Sequence, residues 1–425
     1  MRSTMDDLEE TRSQADAWLG SDRAAHPERS DDGLHYGRAW HRYRYCHRQA
    51  EPLRVLDAGC GTGHSTLWAA RLNPGARVLG ADVSTAALDV ARDRARAVGL
   101  DDSITFRAHD LTAPPPDDWG RFDFVVCRGV LERATDPSRV LASLAKALAP
   151  DGLLLMTLPS HAGRRVARDL RQAVDALSQP GAGADERLAL ARDLYQALRP
   201  DHPVRALRHY LPQTATSVDV ERLLAGFLDD RRDWTLDDAA EMLDHAGLTF
   251  LYAATPWRWD LDRVFAAEGL LDPLKAVIDR LAPNRLSRLI DALDPALFDD
   301  EFPLYACPAS YTPPTPTWPL TRLDDPATFD RLVPELTGLA RIESGASWSS
   351  PSGRIAYQTI TGVRGELDRM PSLLLSAVDG STPCGAIEEK FASRTRAGDD
   401  LKTRQGRWID LADTGLILLR TPTRT

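Results

Sequence analysis

The residues most able to do chemistry lie within Val55-Leu56-Asp57-Ala58-Gly59-Cys60-Gly61-Thr62-Gly63-His64. An apolar run ends here in a turn with glycine at every second position. Glycine allows unusual backbone angles and lets a ligand approach the main chain without meeting a Cβ atom. Beyond it, a helix start offers unpaired N–H groups and a positive dipole end. Asp82 and Asp110 stand at the ends of the next two apolar runs. A carboxylate at such a strand end can accept two neighbouring hydroxyls, as on a ribose.

The elements that must position these residues follow from periodicity. Strands are expected at Leu53–Ala58, Ala76–Ala81, Ile104–Ala108, Phe122–Cys127 and Leu153–Leu158, the last launched by the turn Ala149-Pro150-Asp151-Gly152. Helices Ser65–Leu72, Ala86–Val98 and Pro137–Leu148 lie between them. Such alternation specifies a parallel sheet covered on both faces. After residue 160 the pattern breaks into helical, polar sequence to about 234, with a Pro180-Gly181-Ala182-Gly183 interruption. Thr235 then caps a helix Leu236–Ala246, Gly247 stops it, and a strand Leu248–Ala254 follows. A second irregular insertion, about 257–300, precedes a strand Phe302–Cys307.

A dinucleotide site would need G-x-G-x-x-G, and the third glycine would fall at His64. The G-x-G-x-G loop, with Asp82 and Asp110 in register, instead resembles the class I S-adenosylmethionine-dependent methyltransferase family. The resemblance is carried by Leu53–Ser160 and, by pattern, by 235–307. It implies an α/β fold: a Rossmann-like seven-stranded sheet whose last two strands form an antiparallel edge pair. It also implies S-adenosyl-L-methionine as cofactor, bound by Asp57, Gly59, Gly61, Gly63, Asp82, Val83, Asp110, Leu111 and Arg128. The loop would wrap the methionine part, Asp57 help hold its amino group, Asp82 take the ribose and Asp110 the adenine amino group. Both insertions would begin at carboxyl strand ends and overhang the pocket as lid and acceptor surface.

For catalysis two candidates stand out. Glu132, in Cys127-Arg128-Gly129-Val130-Leu131-Glu132-Arg133, either orients a cationic acceptor or is a solvated helix-start cap. Many family members carry histidine nearby, and this chain does not. His161, just after the fifth strand, is a candidate base. No Asn-Pro-Pro-Tyr-type sequence follows strand four, which disfavours adenine-N6, cytosine-N4 and glutamine methylation. The aromatic segment His35–Tyr45 either stacks on substrate or packs on the sheet, and Trp257-Arg258-Trp259-Asp260 either lines an acceptor cleft or anchors a loop.

At 425 residues the chain is long enough for two domains. The expected division is a polar leader at 1–32, the sheet domain at 33–312, and a smaller α+β unit from the proline-rich stretch at 313 to 425. Three helices (Leu373–Gly380, Gly385–Phe391 and about Asp400–Leu411) and a strand Leu416–Leu419 make that unit winged-helix-like. Its basic residues are offset by acids, so partner recognition or homodimerisation is expected rather than DNA binding. A formal charge of −10 gives no footprint for a polyanion. Five scattered cysteines, without a Cys-x-x-Cys pair, indicate no zinc site and no disulfide framework, as in a reduced cytoplasmic protein. The start has no signal-peptide pattern and no run reaches membrane-spanning length. The expected activity is methyl transfer to a protein side chain or bulky small molecule; the alternatives are a cofactor-binding regulator without turnover, or an RNA methyltransferase.

Overall fold

The computed structural model describes residues 52–206, 217–229, 231–253 and 301–311 continuously, with shorter stretches between 272 and 293 and between 330 and 420. The leader, His35–Tyr45 and Trp257–Asp260 lie outside the described residues.

Strands β1 (Arg54–Ala58), β2 (Arg77–Asp82), β3 (Ile104–Ala108), β4 (Phe122–Arg128) and β5 (Leu148–Pro159) alternate with helices α1 (His64–Leu72), α2 (Thr85–Ala97) and α3 (Pro137–Ala147). With β6 (Leu248–Ala253) and β7 (Glu301–Pro308) they form one seven-stranded sheet, ordered β3-β2-β1-β4-β5-β7-β6. The first five strands pair in parallel, and β7 runs antiparallel to both β5 and β6. Strand order reverses between β1 and β4, and open α/β sheets bind ligands at such a switch point, outside the carboxyl ends.

Alternate residues of each strand feed two cores, one on each face. Val55, Phe124, Val126, Leu153 and Leu155 pack on one face. Leu56, Val125, Cys127, Leu154 and Met156 pack on the other. Burial on both faces explains the nearly continuous apolar strands. One boundary differs from expectation. Residues 149–152 are not a turn before β5 but an irregularity inside it, where Phe122 pairs with Leu148 and Phe124 with Leu153. A Cβ on Gly152 would lie 2.9 Å from the Phe122 carbonyl oxygen, so glycine lets the strand press close instead of turning away.

The first insertion folds into helices α4 (Arg165–Leu177), α5 (Ala184–Ala197), α6 (Pro203–Ala206) and α7 (Ser217–Leu228). They share a core of Ala167, Leu170, Val174, Ala191, Tyr195, Leu224 and Phe227, separate from the sheet's. The chain leaves and returns at one point: Trp234 N donates to Pro159 O at 2.9 Å and His161 N to Trp234 O at 2.8 Å. Helix α8 (Leu236–His245) then starts as expected, because Thr235 and Asp238 form a reciprocal capping box. In the second insertion the described part includes helix α9 (Asp272–Ile278).

In the C-terminal unit the described residues are helical at each of the three expected places, and short strands that were not expected join them. Strand β8 (Val333–Leu336) pairs antiparallel with β12 (Ile417–Arg420), and β9 (Ala340–Ile342), β10 (Ile355–Thr359) and β11 (Arg364–Leu367) form a second small sheet. The middle helix, expected at Gly385–Phe391, is described as α10 (Cys384–Lys390). Four of these strands precede residue 373, where no element was expected; at three to five residues each, they are too short to show an alternation. Leu332, Leu367, Leu374, Cys384, Trp408 and Leu419 give the unit its own core. Trp408 Nε1 donates to the buried Glu388 carboxylate at 3.1 Å.

The capping box is testable in isolation, because its side chains lie on the surface. Thr235→Ala removes an N-cap worth roughly 1 kcal/mol. The thermal unfolding midpoint of the sheet domain is expected to fall by about 2–4 °C; an unchanged midpoint would show that the cap contributes nothing.

Candidate active site

Between β1 and α1 the chain passes through three left-handed glycines, with φ of 80° at Gly59, 51° at Gly61 and 82° at Gly63. Gly59 N and Cys60 N both donate to Ala81 O, at 2.7 and 3.0 Å, folding the loop across the end of β2. A Cβ on Gly59 would lie 2.0 Å from Val130 Cγ2, and one on Gly63 would lie 2.8 Å from Ala91 Cβ. The loop therefore needs glycine twice over, for conformation and for space. From α2, Arg94 braces it, donating to Thr62 Oγ1 at 2.7 Å and to Thr62 O at 3.2 Å. His64, at the start of α1, is held below the usual histidine range by burial and then by Arg94.

The acidic residues frame this loop. Asp57 is 1% exposed and accepts from Ser65 Oγ at 2.7 Å and Thr66 Oγ1 at 2.5 Å. Burial pushes its carboxyl up to about 6 against the two hydroxyls, with the Asp82 charge adding to the rise. Asp82 accepts from Gly61 N at 2.8 Å and Ser84 N at 2.9 Å, so it ties the loop to the turn entering α2, with Val83 half-buried between. Asp110 organises the turn after β3, accepting from Thr112 N at 2.9 Å and Thr112 Oγ1 at 2.8 Å. Leu111 Cδ1 lies 3.8 Å from where a Gly59 Cβ would be. A ligand here meets bare backbone and carboxylates. That suits the hydroxyls, ammonium and sulfonium of S-adenosylmethionine and would repel a pyrophosphate.

Across the switch point lies Glu132. The solvated-cap reading is overturned: Glu132 is 6% exposed and sits in a turn, while α3 is capped by Asp136, which accepts from Arg139 N at 3.1 Å. Burial pushes the Glu132 carboxyl up to about 7; Glu301 adds to the rise, and Arg231 and Arg133 oppose it. Its Oε2 is buried without a hydrogen-bond partner among the described residues, as is Thr157 Oγ1 on β5. Nearby, Asp229 accepts from Arg133 at 2.8 Å and Arg231 at 2.9 Å. Half-buried Arg128 ends β4, directly opposite Thr157.

His161 is placed differently. It sits at the neck of the helical insertion, its side chain 52% exposed, with Nδ1 2.9 Å from Asp233 Oδ1. Arg168 holds the other Asp233 oxygen at 2.7 Å and the His161 carbonyl at 2.5 Å. The structure thus gathers Asp57, Asp82 and the glycines into one cradle and gives Glu132 and His161 separate partners. Sequence reading missed Ser65, Thr66, Arg94, Val130 and Thr157. Ser65 and Thr66 lay in view just past the glycines; the others come from elements whose approach no local pattern records.

Comparison with known proteins agrees. Residues 50–190 match the family model described as a methyltransferase domain. The chain is 33% identical over 291 residues to an uncharacterized Synechococcus protein, spanning 65% of this chain and 67% of that one. It is 31% identical over 236 residues to trans-aconitate 2-methyltransferase of Methylobacterium radiotolerans, spanning 55% of this chain and 80% of that enzyme. PKMT2 from Rickettsia typhi, solved in complex with AdoHcy, shares the fold at 14% identity, with a TM-score of 0.60 over 93% of this chain and 76% of that one.

The cradle makes its own prediction. Asp82→Ala should raise the Kd for S-adenosylmethionine by roughly 100-fold, as expected for losing about 3 kcal/mol of charge-assisted hydrogen bonding, and should also lower the unfolding midpoint, because Gly61 N and Ser84 N lose their acceptor. Calorimetric titration reads it, and unchanged affinity would refute the ribose assignment. On the loop, the acidic frame, the sheet order and these relatives together, the chain belongs to the class I S-adenosylmethionine-dependent methyltransferase family.

Proposed function

We propose that this methyltransferase acts on a protein side chain or a bulky small molecule admitted beneath the 161–234 helices, with Glu132 as the acceptor-side carboxyl. The observation that carries this reading is the buried Glu132 carboxyl with an unsatisfied oxygen at the end of β4.

On the cofactor side, Gly59, Gly61 and Gly63 leave main chain open to the methionine part, with Asp57 beneath them toward its ammonium. Asp82 takes the ribose hydroxyls, Asp110 the adenine amino group, and Val83 and Leu111 flank the ring. Arg128 lies where the cofactor side meets the acceptor side. S-adenosylmethionine supplies an activated methyl carbon for in-line displacement, and the chain's task is to bring an acceptor's lone pair into line with it. A carboxyl titrating near 7 is matched to taking a proton from that acceptor at neutral pH. We assign His161 to the neck rather than to the proton transfer, because its imidazole is committed to Asp233 and half open to water.

The insertion supports an acceptor larger than a simple metabolite. It brings a separate helical core to the point where β5 ends, and Arg232 N donates to the Glu132 carbonyl across that point at 3.4 Å. Methyl transfer from radiolabelled S-adenosylmethionine into fractionated extract should therefore label the protein or small-molecule pool; label confined to RNA would overturn the acceptor assignment.

Glu132→Gln should lower kcat about 100-fold while leaving the KM for S-adenosylmethionine within about twofold. Wild-type kcat should rise through about pH 7 as the carboxylate forms, and the variant should lose that rise. Stability is expected to move oppositely. Because the folded-state value lies above the ordinary 4.5, ionising Glu132 costs the folded state about 3 kcal/mol, fully felt above pH 7 and absent below about 4.5. The variant should therefore gain midpoint temperature at pH 8 relative to pH 5, and equal shifts at both would show that Glu132 is not strained by burial.

A further inference from the structure

Three glycines among the five residues 59–63 make the cofactor loop hard to hold in one shape, because glycine loses more backbone freedom on ordering than any other residue. Order that the loop lacks beforehand must be imposed on binding, which lowers affinity. The inner limb is ordered by β2: Gly59 N and Cys60 N donate to Ala81 O, and Gly61 N donates to Asp82. The outer limb, Thr62 and Gly63, lies beyond these bonds. It closes locally through Gly63 N to Cys60 O at 2.9 Å and turns into α1 with a left-handed φ of 82° at Gly63.

Helix α2 reaches the outer limb from outside the loop. Buried Ala91 fills the space beside Gly63, its Cβ 2.8 Å from where a Gly63 Cβ would lie. Three residues on, and so on the same side of the helix, Arg94 Nη1 donates to Thr62 Oγ1 at 2.7 Å and to Thr62 O at 3.2 Å. Thr62 is itself buried, and a charged donor to a shielded acceptor is among the stronger hydrogen bonds. The neighbouring arginines of α2 are employed differently: Arg92 pairs with Asp89 and Arg96 with Asp93, each at 2.6 Å. Arg94 has no carboxylate partner among the described residues, and its two bonds go to the loop. The platform behind it is firm. Ser84 caps α2 by accepting from Ala87 N at 3.1 Å, and Leu88, Ala91 and Ala95 are buried against the sheet.

We propose that Arg94 is a positioning residue for cofactor binding, holding Thr62 and the outer limb in the shape that receives the methionine part. This rests on the placement of that part against the loop argued above. Arg94 acts through Thr62 and touches neither cofactor nor acceptor. A guanidinium suits the task, because its planar, fixed fork gives up less freedom per hydrogen bond than a flexible ammonium. The effect is selective. Asp82 and Asp110 take the ribose and adenine and bond to other groups, so loosening the outer limb weakens the hold on the methionine part.

The test titrates full-length protein calorimetrically with S-adenosylhomocysteine and with 5′-methylthioadenosine, which keeps adenine, ribose and sulfur but lacks the amino-acid part. Wild type should bind the first more tightly; equal affinities would overturn the placement of the methionine part, and this proposal with it. Arg94→Met, which keeps an apolar stem and good helix propensity, should raise the Kd for S-adenosylhomocysteine about tenfold and that for methylthioadenosine by less than about twofold. Losing two bonds should lower the unfolding midpoint as well, so the pair of ligands separates positioning from general support, and the melt does not. An unchanged Kd for S-adenosylhomocysteine, or an equal loss for both ligands, would overturn the assignment of Arg94 and leave the loop reading standing. Arg94→Lys, which retains a charged donor, should come within about threefold of wild type. Thr62→Val removes the Oγ1 acceptor at nearly constant shape. It should raise the Kd for S-adenosylhomocysteine about threefold in the wild-type background and no further beside Arg94→Met. Additive losses would show that the two residues act independently and overturn the route through Thr62.

Discussion

Everything at the active site depends on the closing of residues 59–63 across the end of β2. Two consecutive N–H groups share the Ala81 carbonyl, and a third is held by the Asp82 carboxylate. The loop can close that far only because Gly59 has no Cβ: Val130, from the turn after β4, occupies the space one would take. One contact thus sets the depth of the cradle, the position of Asp82 and the approach of the β4 turn. Arg94 fixes the outer limb of the same loop through Thr62, so α2 and β2 position it jointly.

The second organising constraint is electrostatic. Asp57 and Glu132 are carboxyls with almost no exposure, and burial lifts both toward neutrality, to about 6 and about 7. A carboxylate that wants a cation beside it destabilises the empty fold and favours the occupied one. Asp57 offsets part of this with two hydroxyls from α1. Glu132 has no such relief for one of its oxygens. Unsatisfied buried polarity of this kind is uncommon in folded proteins and concentrates where ligands bind. Burial raises the Cys127 thiol of β4, and the charges of Glu132 and Asp57 add to the rise.

The helical insertion joins the sheet through a narrow neck rich in ion pairs. Arg168, His161 and Asp233 form one cluster and Arg133, Arg231 and Asp229 another, the second reaching the Glu132 turn directly. The insertion has its own apolar core, so its link to the Glu132 turn is polar. Such a joint tolerates changes in the insertion's helices without disturbing the sheet, which suits the acceptor-side part proposed above.

The sequence by itself determined the sheet, the loop and the cofactor. Strand positions were legible because parallel strands are buried on both faces and so read as apolar runs, and β3 fell where the pattern placed it. That Asp57, Asp82 and the three glycines lie side by side was legible because they stand at the ends of β1 and β2, which the strand–helix alternation pairs in parallel. The state of Glu132 was not: cap and buried carboxyl look alike in sequence, and the outcome turned on Asp136 taking the cap while Arg231 and Glu301, about 100 and 170 residues on, closed around it. Thr157, Val130 and Arg94 were hidden for the same reason. Among the short strands of the C-terminal unit, pairing such as that of β8 with β12 joins residues some 80 apart, a register no local pattern encodes. Local chemistry fixed the loop and the carboxylates at its strand ends, and the long-range packing of those ends decided which side chains surround them.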